Sequence, residues 1–342
     1  MRISMFFNGL IRFISLFILL SGLNINVLAN KPLQGALLPV DSSNTATHQV
    51  KIGIYPIAIY QLDMGSNTFY ADLYLWLRWK GDIDPVASLE FKNMVEKWNK
   101  QYERINPNPK IMADGSKYQI LKVEGRFYQP FNLTDYPLDQ QKLTIQVEDA
   151  LYSAEELSFV IDQENSGLGS NFVIPGWSLT GWSGQVFHHD YRTNFGEDKA
   201  SSLYSTAHFN IHVERPTSYF FWRLLLPIFI VLCVALSALI LSPRSIDART
   251  GLAGGALLTA IFLQIGYSDA LPELTYLVLI DKIYLLAYIL IVLTLVRTIL
   301  VFQKCNQATE QSMESLLQMD KRLIALQLLV FVLGTAVLVW VH

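Results

Sequence analysis

The chain predicts an all-β extracellular sandwich, immunoglobulin-like in its two-layer plan, followed by an all-α bundle of four membrane-spanning helices. Three observations carry that expectation. Of 342 residues, 51% are hydrophobic and 16% charged, the balance of a chain that spends much of its length in lipid. After residue 216 come four apolar runs, each long enough to cross a hydrocarbon core of roughly 30 Å. Before it, short segments alternate apolar and polar residues with a period of two between Gly, Asn and Asp turns.

Residues 1–29 read as a secretory signal peptide: Arg2 and Arg12, the apolar run Phe13 to Leu23, then Val27-Leu28-Ala29 as a small-residue cleavage pattern. The exported half covers 30–216. Two strands flank the turn Met64-Gly65-Ser66-Asn67; in the second, Tyr70, Asp72, Tyr74, Trp76 and Arg78 alternate with Ala71, Leu73, Leu75, Leu77 and Trp79. Residues 88–104 place Phe91, Met94, Val95, Trp98 and Tyr102 roughly on one face, which predicts a short helix. A strand, a turn at Pro137 and a further strand follow, with Leu143, Ile145 and Val147 facing one way and Lys142, Thr144, Gln146 and Glu148 the other. Further strands are expected at Leu157 to Ile161, Ser178 to Phe187 and Ala207 to Glu214. In the last of these, His208 and His212 share a face; they are two metal-ligand candidates without a third at fixed spacing, so a solvated strand face is the preferred reading and the metal stays unknown. The exported half has no cysteine, since Cys233 and Cys305 both lie beyond it, so it must stand on its core and on subunit contacts.

Residues 217–342 supply the helices, at about 219–241, 247–268, 275–302 and 321–341, with Pro227 inside the first and a short polar loop at 303–320. Arg244, Arg249, Arg297, Lys304, Lys321 and Arg322 flank the first and third connections, whereas the second has Asp269 and Glu273 and no Lys or Arg. Odd connections are therefore cytoplasmic and both mature termini lie outside, in agreement with the signal peptide. Asp281 and Lys282 interrupt an apolar segment, where a charge costs about 2.5–3.5 kcal/mol on insertion scales, so interfacial placement or pairing is expected.

Along the second helix, Asp247, Gly251, Gly255, Leu258, Phe262, Ile265 and Asp269 follow one another at steps of three or four and form one stripe: acid, small, small, apolar, acid. Copies of this helix around an axis would place acidic rings at two mouths and apolar rings between them that close by dewetting. An ordinary buried helix, capped by Asp247 and packing through small residues, fits the stripe equally well.

Asp247-Ala-Arg-Thr-Gly-Leu, then Leu258-Thr259 and the exit Leu271-Pro272, resembles the second transmembrane helix of the pentameric ligand-gated ion channel (Cys-loop receptor) family, with Leu258 at the gate leucine. Tyr136-Pro137-Leu138-Asp139-Gln140-Gln141 is similar to that family's signature loop; Leu138 replaces an aromatic, and Gln129 and Leu143 stand where animal members pair two cysteines, which matches bacterial members. The resemblance implies a homopentamer of identical subunits in a lipid bilayer. Its site would be a bacterial inner membrane, with the sandwich in the periplasm. It also implies coupling residues at the domain junction, here Asp63, Asp139, Arg215 and Pro272. An aromatic box for an extracellular ligand would draw on Phe187, Tyr191, Tyr204 and Tyr152, completed by Trp76 and Arg78 of a neighbour. Protons or a modulatory divalent cation acting on Glu148, Asp149, Asp162 or Glu164 are the alternative stimulus. Asp247 and Asp269 favour cations, whereas Ala248-Arg249 also resembles the family's anion-selective branch, in which a Pro stands where this chain has Asp247. Arg249 steps off the stripe and is expected to reach headgroups or water, so cation selectivity is the preferred reading.

No resident cofactor is expected, no nucleophile–base spacing or phosphate loop suggests an enzyme, and no basic patch suggests nucleic acid. The competing reading is a non-conducting membrane-anchored ligand sensor.

Overall fold

The computed structural model describes residues 36–39, 46–95, 102–193, 195–196, 203–305 and 310–341. The expected signal peptide lies outside them. Eleven strands form two sheets among the described residues. They are β1 Ala36–Pro39, β2 His48–Asp63, β3 Thr68–Trp79, β4 Leu89–Phe91, β5 Glu103–Arg104, β6 Lys110–Ile111, β7 Lys117–Tyr128, β8 Gln140–Asp149, β9 Leu157–Ile161, β10 Ser178–Asp190 and β11 Leu203–Glu214. One sheet runs β1-β10-β11-β8-β4, the other β5-β7-β3-β2-β9, with β6 beside β7.

Period-two patterning explains the layering. On β3 the set Phe69, Ala71, Leu73, Leu75, Leu77 and Trp79 is buried, and the intervening residues are half-buried on the opposite face. These meet Leu143, Ile145 and Val147 of β8 and Phe209, Ile211 and Val213 of β11 as the sandwich core, in which Phe69 stacks on Phe127 at 5.5 Å and Phe91 meets Phe127 edge-on at 6.0 Å. Each Leu, Ile, Val or Phe among them contributes about 1.5–3 kcal/mol by leaving water. Core packing thus replaces the absent disulfide.

Two sequence expectations fail here. Leu89 to Phe91 is not helical but a strand paired with β8, Leu89 opposite Asp149 and Phe91 opposite Val147. The apolar residues that mimic a helical face are core contacts of an edge strand, so tertiary burial overrides local periodicity; residues 96–101, including Trp98, lie outside the described residues. The His208 face of β11 is not solvated either: Thr206, His208 and Asn210 are buried, and the Phe187 ring lies 4.9 Å from that of His208. Among the described residues no group of three His, Cys, Asp or Glu side chains is placed to hold a metal.

Four helices follow: α1 Thr217–Ile240, α2 Ile246–Ser268, α3 Leu279–Cys305 and α4 Glu310–Val341, all long and apolar enough to cross a membrane. Pro227 has no N–H and crowds the carbonyl four residues back, and the turn before it is correspondingly wide: Leu226 N–H bonds Phe221 O, five residues earlier. α3 begins four residues later than the expected 275, because Asp281 Oδ2 accepts the Val278 N–H at 3.1 Å and fixes the first turn there, the reach-back half of a capping box. Asp281 also accepts the Tyr267 hydroxyl at 2.6 Å, which accounts for a carboxylate in apolar surroundings.

The expected loop at 303–320 is helix over most of its length: α3 continues to Cys305 and α4 starts at Glu310, eleven residues before the expected 321. Glu, Gln, Met and Leu there are strong helix formers. Asp320, which read as part of a polar loop, is fully buried.

Candidate functional site

Three regions gather the sequence-derived candidates. The first is α2. Asp247, Gly251, Gly255, Leu258, Phe262, Ile265 and Asp269 are all exposed, Leu258 at 55% and Phe262 at 63%. The opposite face, Arg249, Ala253, Ala256, Ala260 and Tyr267, is buried in the bundle. Small alanines let α2 lie close to α1 and α3, which turns the whole stripe outward from the chain. Arg249 departs from expectation. It is fully buried, with its guanidinium 3.0 Å from Asp320 Oδ2 and donating to Leu241 O at 2.6 Å and Leu239 O at 3.3 Å. Asp320 accepts Arg297 as well, at 2.9 Å. Headgroups and water do not reach Arg249 because a carboxylate 71 residues away already neutralises it.

The second region is the junction of sandwich and bundle. Arg215 Nε donates to Asp139 Oδ1 at 2.8 Å, and the Arg215 N–H to the Asp139 carbonyl at 3.2 Å. The guanidinium also stacks on Trp177 at 4.3 Å and Tyr136 at 4.8 Å. Gln141 donates to the other Asp139 oxygen at 2.7 Å, so a carboxylate only 2% exposed is satisfied on both sides. The signature loop then reaches the bundle through backbone: Thr134 O accepts Leu279 N–H at 3.1 Å and Tyr136 O accepts Ile280 N–H at 3.2 Å. These are otherwise orphan donors at the start of α3. Asp63 is not drawn into the pair. It closes its own exposed turn, accepting Gly65 N–H at 3.0 Å and the Ser66 hydroxyl at 2.7 Å, and that hydroxyl leads the causes that hold its carboxyl below the usual range. Pro272 lies in the segment between α2 and α3.

The third region is the outer face of the β11–β8 ladder. Tyr191 has Phe195 at 5.1 Å, Tyr204 at 5.6 Å and the His189 ring at 4.1 Å. Beneath them Glu148, 3% exposed, accepts the Tyr191 hydroxyl at 2.5 Å and the Thr206 hydroxyl at 2.6 Å, with His189 Nδ1 at 3.4 Å and Lys92 Nζ at 3.6 Å. Burial pushes the Glu148 carboxyl up, but the bonds from His189, Thr206 and Tyr191 and the Lys92 charge outweigh it, so it lies below the usual range and stays ionised. Burial instead dominates at Asp149, which is raised despite accepting the Tyr152 N–H. Of the expected box, Tyr191 and Tyr204 come together, Phe187 packs on His208, and Tyr152 is half-buried at the Asp149 turn. Trp76 and Arg78 lie on the other sheet, Trp76 donating to Asp162 at 3.1 Å and Arg78 to Ser116 at 2.7 Å. Asp162 in turn pairs with Lys51 at 2.9 Å.

Sequence reading alone missed the pairing of Lys92 and Thr206 with Glu148, the Trp177 stack, and the Asp320 partnership. The polar alternation of β8 marks Glu148; nothing local marks Lys92 or Asp320.

No family model matches the chain. It is similar to a proton-gated ion channel of Gloeobacter violaceus, 23% identical over 259 residues that cover 70% of this chain and 69% of that one. A gamma-aminobutyric acid receptor subunit beta of Caenorhabditis elegans is 22% identical across 68% of the chain, and a glutamate-gated chloride channel of Drosophila melanogaster 25% identical across 57%. The matches span 43% and 41% of those two receptors' own lengths.

Proposed function

We propose that the chain, a homologue of ligand-gated ion channels, forms a homopentameric, cation-selective channel opened by an extracellular signal. One observation carries the reading: every residue of the acid–small–apolar–acid stripe is turned outward on α2 while the face behind it is packed. Five such stripes around an axis make a pore. Asp247 and Asp269 ring its two mouths, and Leu258, Phe262 and Ile265 close it by dewetting. Arg249 supports the selectivity assignment, because its charge is held behind the stripe by Asp320 while Asp247 stays on it. The proteins it resembles include one named for chloride, so selectivity rests on Asp247 in this chain. The expected signal peptide and the loop charges support a sandwich on the outer side, and the missing disulfide, which matches bacterial members, supports a bacterial inner membrane with the sandwich in the periplasm.

The stimulus enters at the Glu148 end of the ladder. Strands β8 and β11 pair without a register break from Glu148 opposite Thr206 to Gln140 opposite Glu214. Asp139 and Arg215 follow directly at the far end, roughly 30 Å away at about 3.3 Å per residue. A small cation or amine, a proton or a divalent cation that alters the Glu148 cluster would displace a stiff two-strand lever, and Asp139–Arg215 with the α3 N-terminus would receive it. Trp76 and Arg78 of a neighbouring subunit face the same interface in this reading.

The test is purified protein in planar bilayers, with current recorded as pH, divalent cations and a panel of amines are varied, and Leu258→Ser beside the wild type. A current that the serine variant makes easier to evoke supports channel and gate together. Ligand binding to a protein that never conducts would instead establish the membrane-anchored sensor.

A further inference from the structure

The aromatic cluster around Tyr191 has the composition of a cage for an organic cation: three phenyl or phenol rings within 6.5 Å of one another and a buried carboxylate below. A cation already stands against one of these rings. Lys92 Nζ lies 4.8 Å from the centre of the Tyr191 ring and 3.6 Å from Glu148 Oε1, so ring face and counter-ion serve the chain's own ammonium. Lys92 directly follows β4, whose pairing to β8 continues through Lys92 N–H to Gln146 O at 3.0 Å, so its backbone is fixed while its side chain, 24% exposed, can swing away.

We infer that Lys92 is a tethered occupant of the Tyr191–Glu148 cage, which any external amine must displace. The inference rests on the ligand-site reading above. It follows from charge as well as shape. Among the described residues the other partners of buried Glu148 are two hydroxyls and the His189 ring; with the Lys92 ammonium withdrawn, an external ammonium can take its place beside that carboxylate. An alkylammonium supplies the charge and covers the rings. A tethered competitor at high local concentration weakens every free amine by the same factor, which sets the sandwich to respond only to concentrated or tightly fitting ligands.

The experiment titrates tetramethylammonium and propylamine into detergent-solubilised full-length protein by calorimetry, for wild type, Lys92→Gln, Lys92→Met and Lys92→Arg. The neutral variants are expected to bind both amines about tenfold more tightly than wild type, ~1.4 kcal/mol, while Lys92→Arg stays weak because a guanidinium occupies the same cage. Equal affinity in all four proteins, or a gain in Lys92→Arg matching that in Lys92→Gln, overturns the inference. A second measurement uses the unaltered chain and is independent of variant folding: saturating tetramethylammonium should raise the rate at which an amine-reactive reagent modifies Lys92, and an unchanged rate also overturns it. Neither readout needs current, so a protein that shows displacement and never conducts would retain the occupant and lose the channel.

Discussion

Arg215 and Arg249 are both arginines withdrawn from water against a carboxylate, and they differ in how they are held. Arg215 meets Asp139 across the domain junction, stacks on aromatic rings and keeps 11% of its side chain exposed. Arg249 is completely buried, shares Asp320 with Arg297, and caps the carbonyls that end α1. The junction pair has aromatic faces and a part-exposed edge to fall back on; the inner pair has none. The first suits a contact that rearranges, the second one that fixes α2 against α1, α3 and α4.

Breaking each pair should expose that difference. Asp320→Ala strands a buried guanidinium, and a loss of about 3–5 kcal/mol is expected, seen as failed subunit assembly or a large fall in melting temperature. A variant with unchanged melting would contradict the locking role. Asp139→Asn should cost less, about 1.5–3 kcal/mol, and appear chiefly as a ten- to hundredfold change in the stimulus needed for half-maximal current. If it alters stability alone, the pair is static.

The ladder above the junction predicts a pH dependence. Burial, aided by Lys142 and His189, lowers His208 to about 4, so the folded chain keeps it neutral where the unfolded chain, near 6.5, binds a proton. The depressed group contributes stability that is complete above the unfolded value and is lost as pH falls from about 7 towards 4, on the order of 3 kcal/mol in all. Glu148, also depressed, loses its own contribution at still lower pH. His208→Gln should flatten the first fall when melting is followed against pH.

The smallest effect belongs to Asp63. Its carboxylate serves an exposed turn, so Asp63→Asn should change melting by no more than about 0.5 kcal/mol, whereas a gating shift as large as that of Asp139→Asn would return it to the junction.

What the sequence made legible follows the range of the interactions involved. The β2–β3 hairpin, the alternation of β8 and the four spans are written in residues two to four apart, and the structure has them. The stripe on α2 was equally legible, since one helix sets its direction. Residues 88–104 misled because Leu89 and Phe91 answer to β8, more than fifty residues on. Arg249 misled for the same reason: its partner stands 71 residues away in a stretch that read as loop. Lys92 carries no local mark at all; only the fold brings it over Tyr191.

Thiol accessibility shows whether the exposed face of α2 lines a pore. In a background with Cys233→Ser and Cys305→Ser, Leu258→Cys and Ala256→Cys would be opened by the effective stimulus and treated with a water-soluble, charged thiol reagent while current is recorded. Rapid, irreversible block is expected at Leu258→Cys and none at Ala256→Cys, where the native side chain is buried behind the stripe. Block at Ala256→Cys with Leu258→Cys untouched would contradict it.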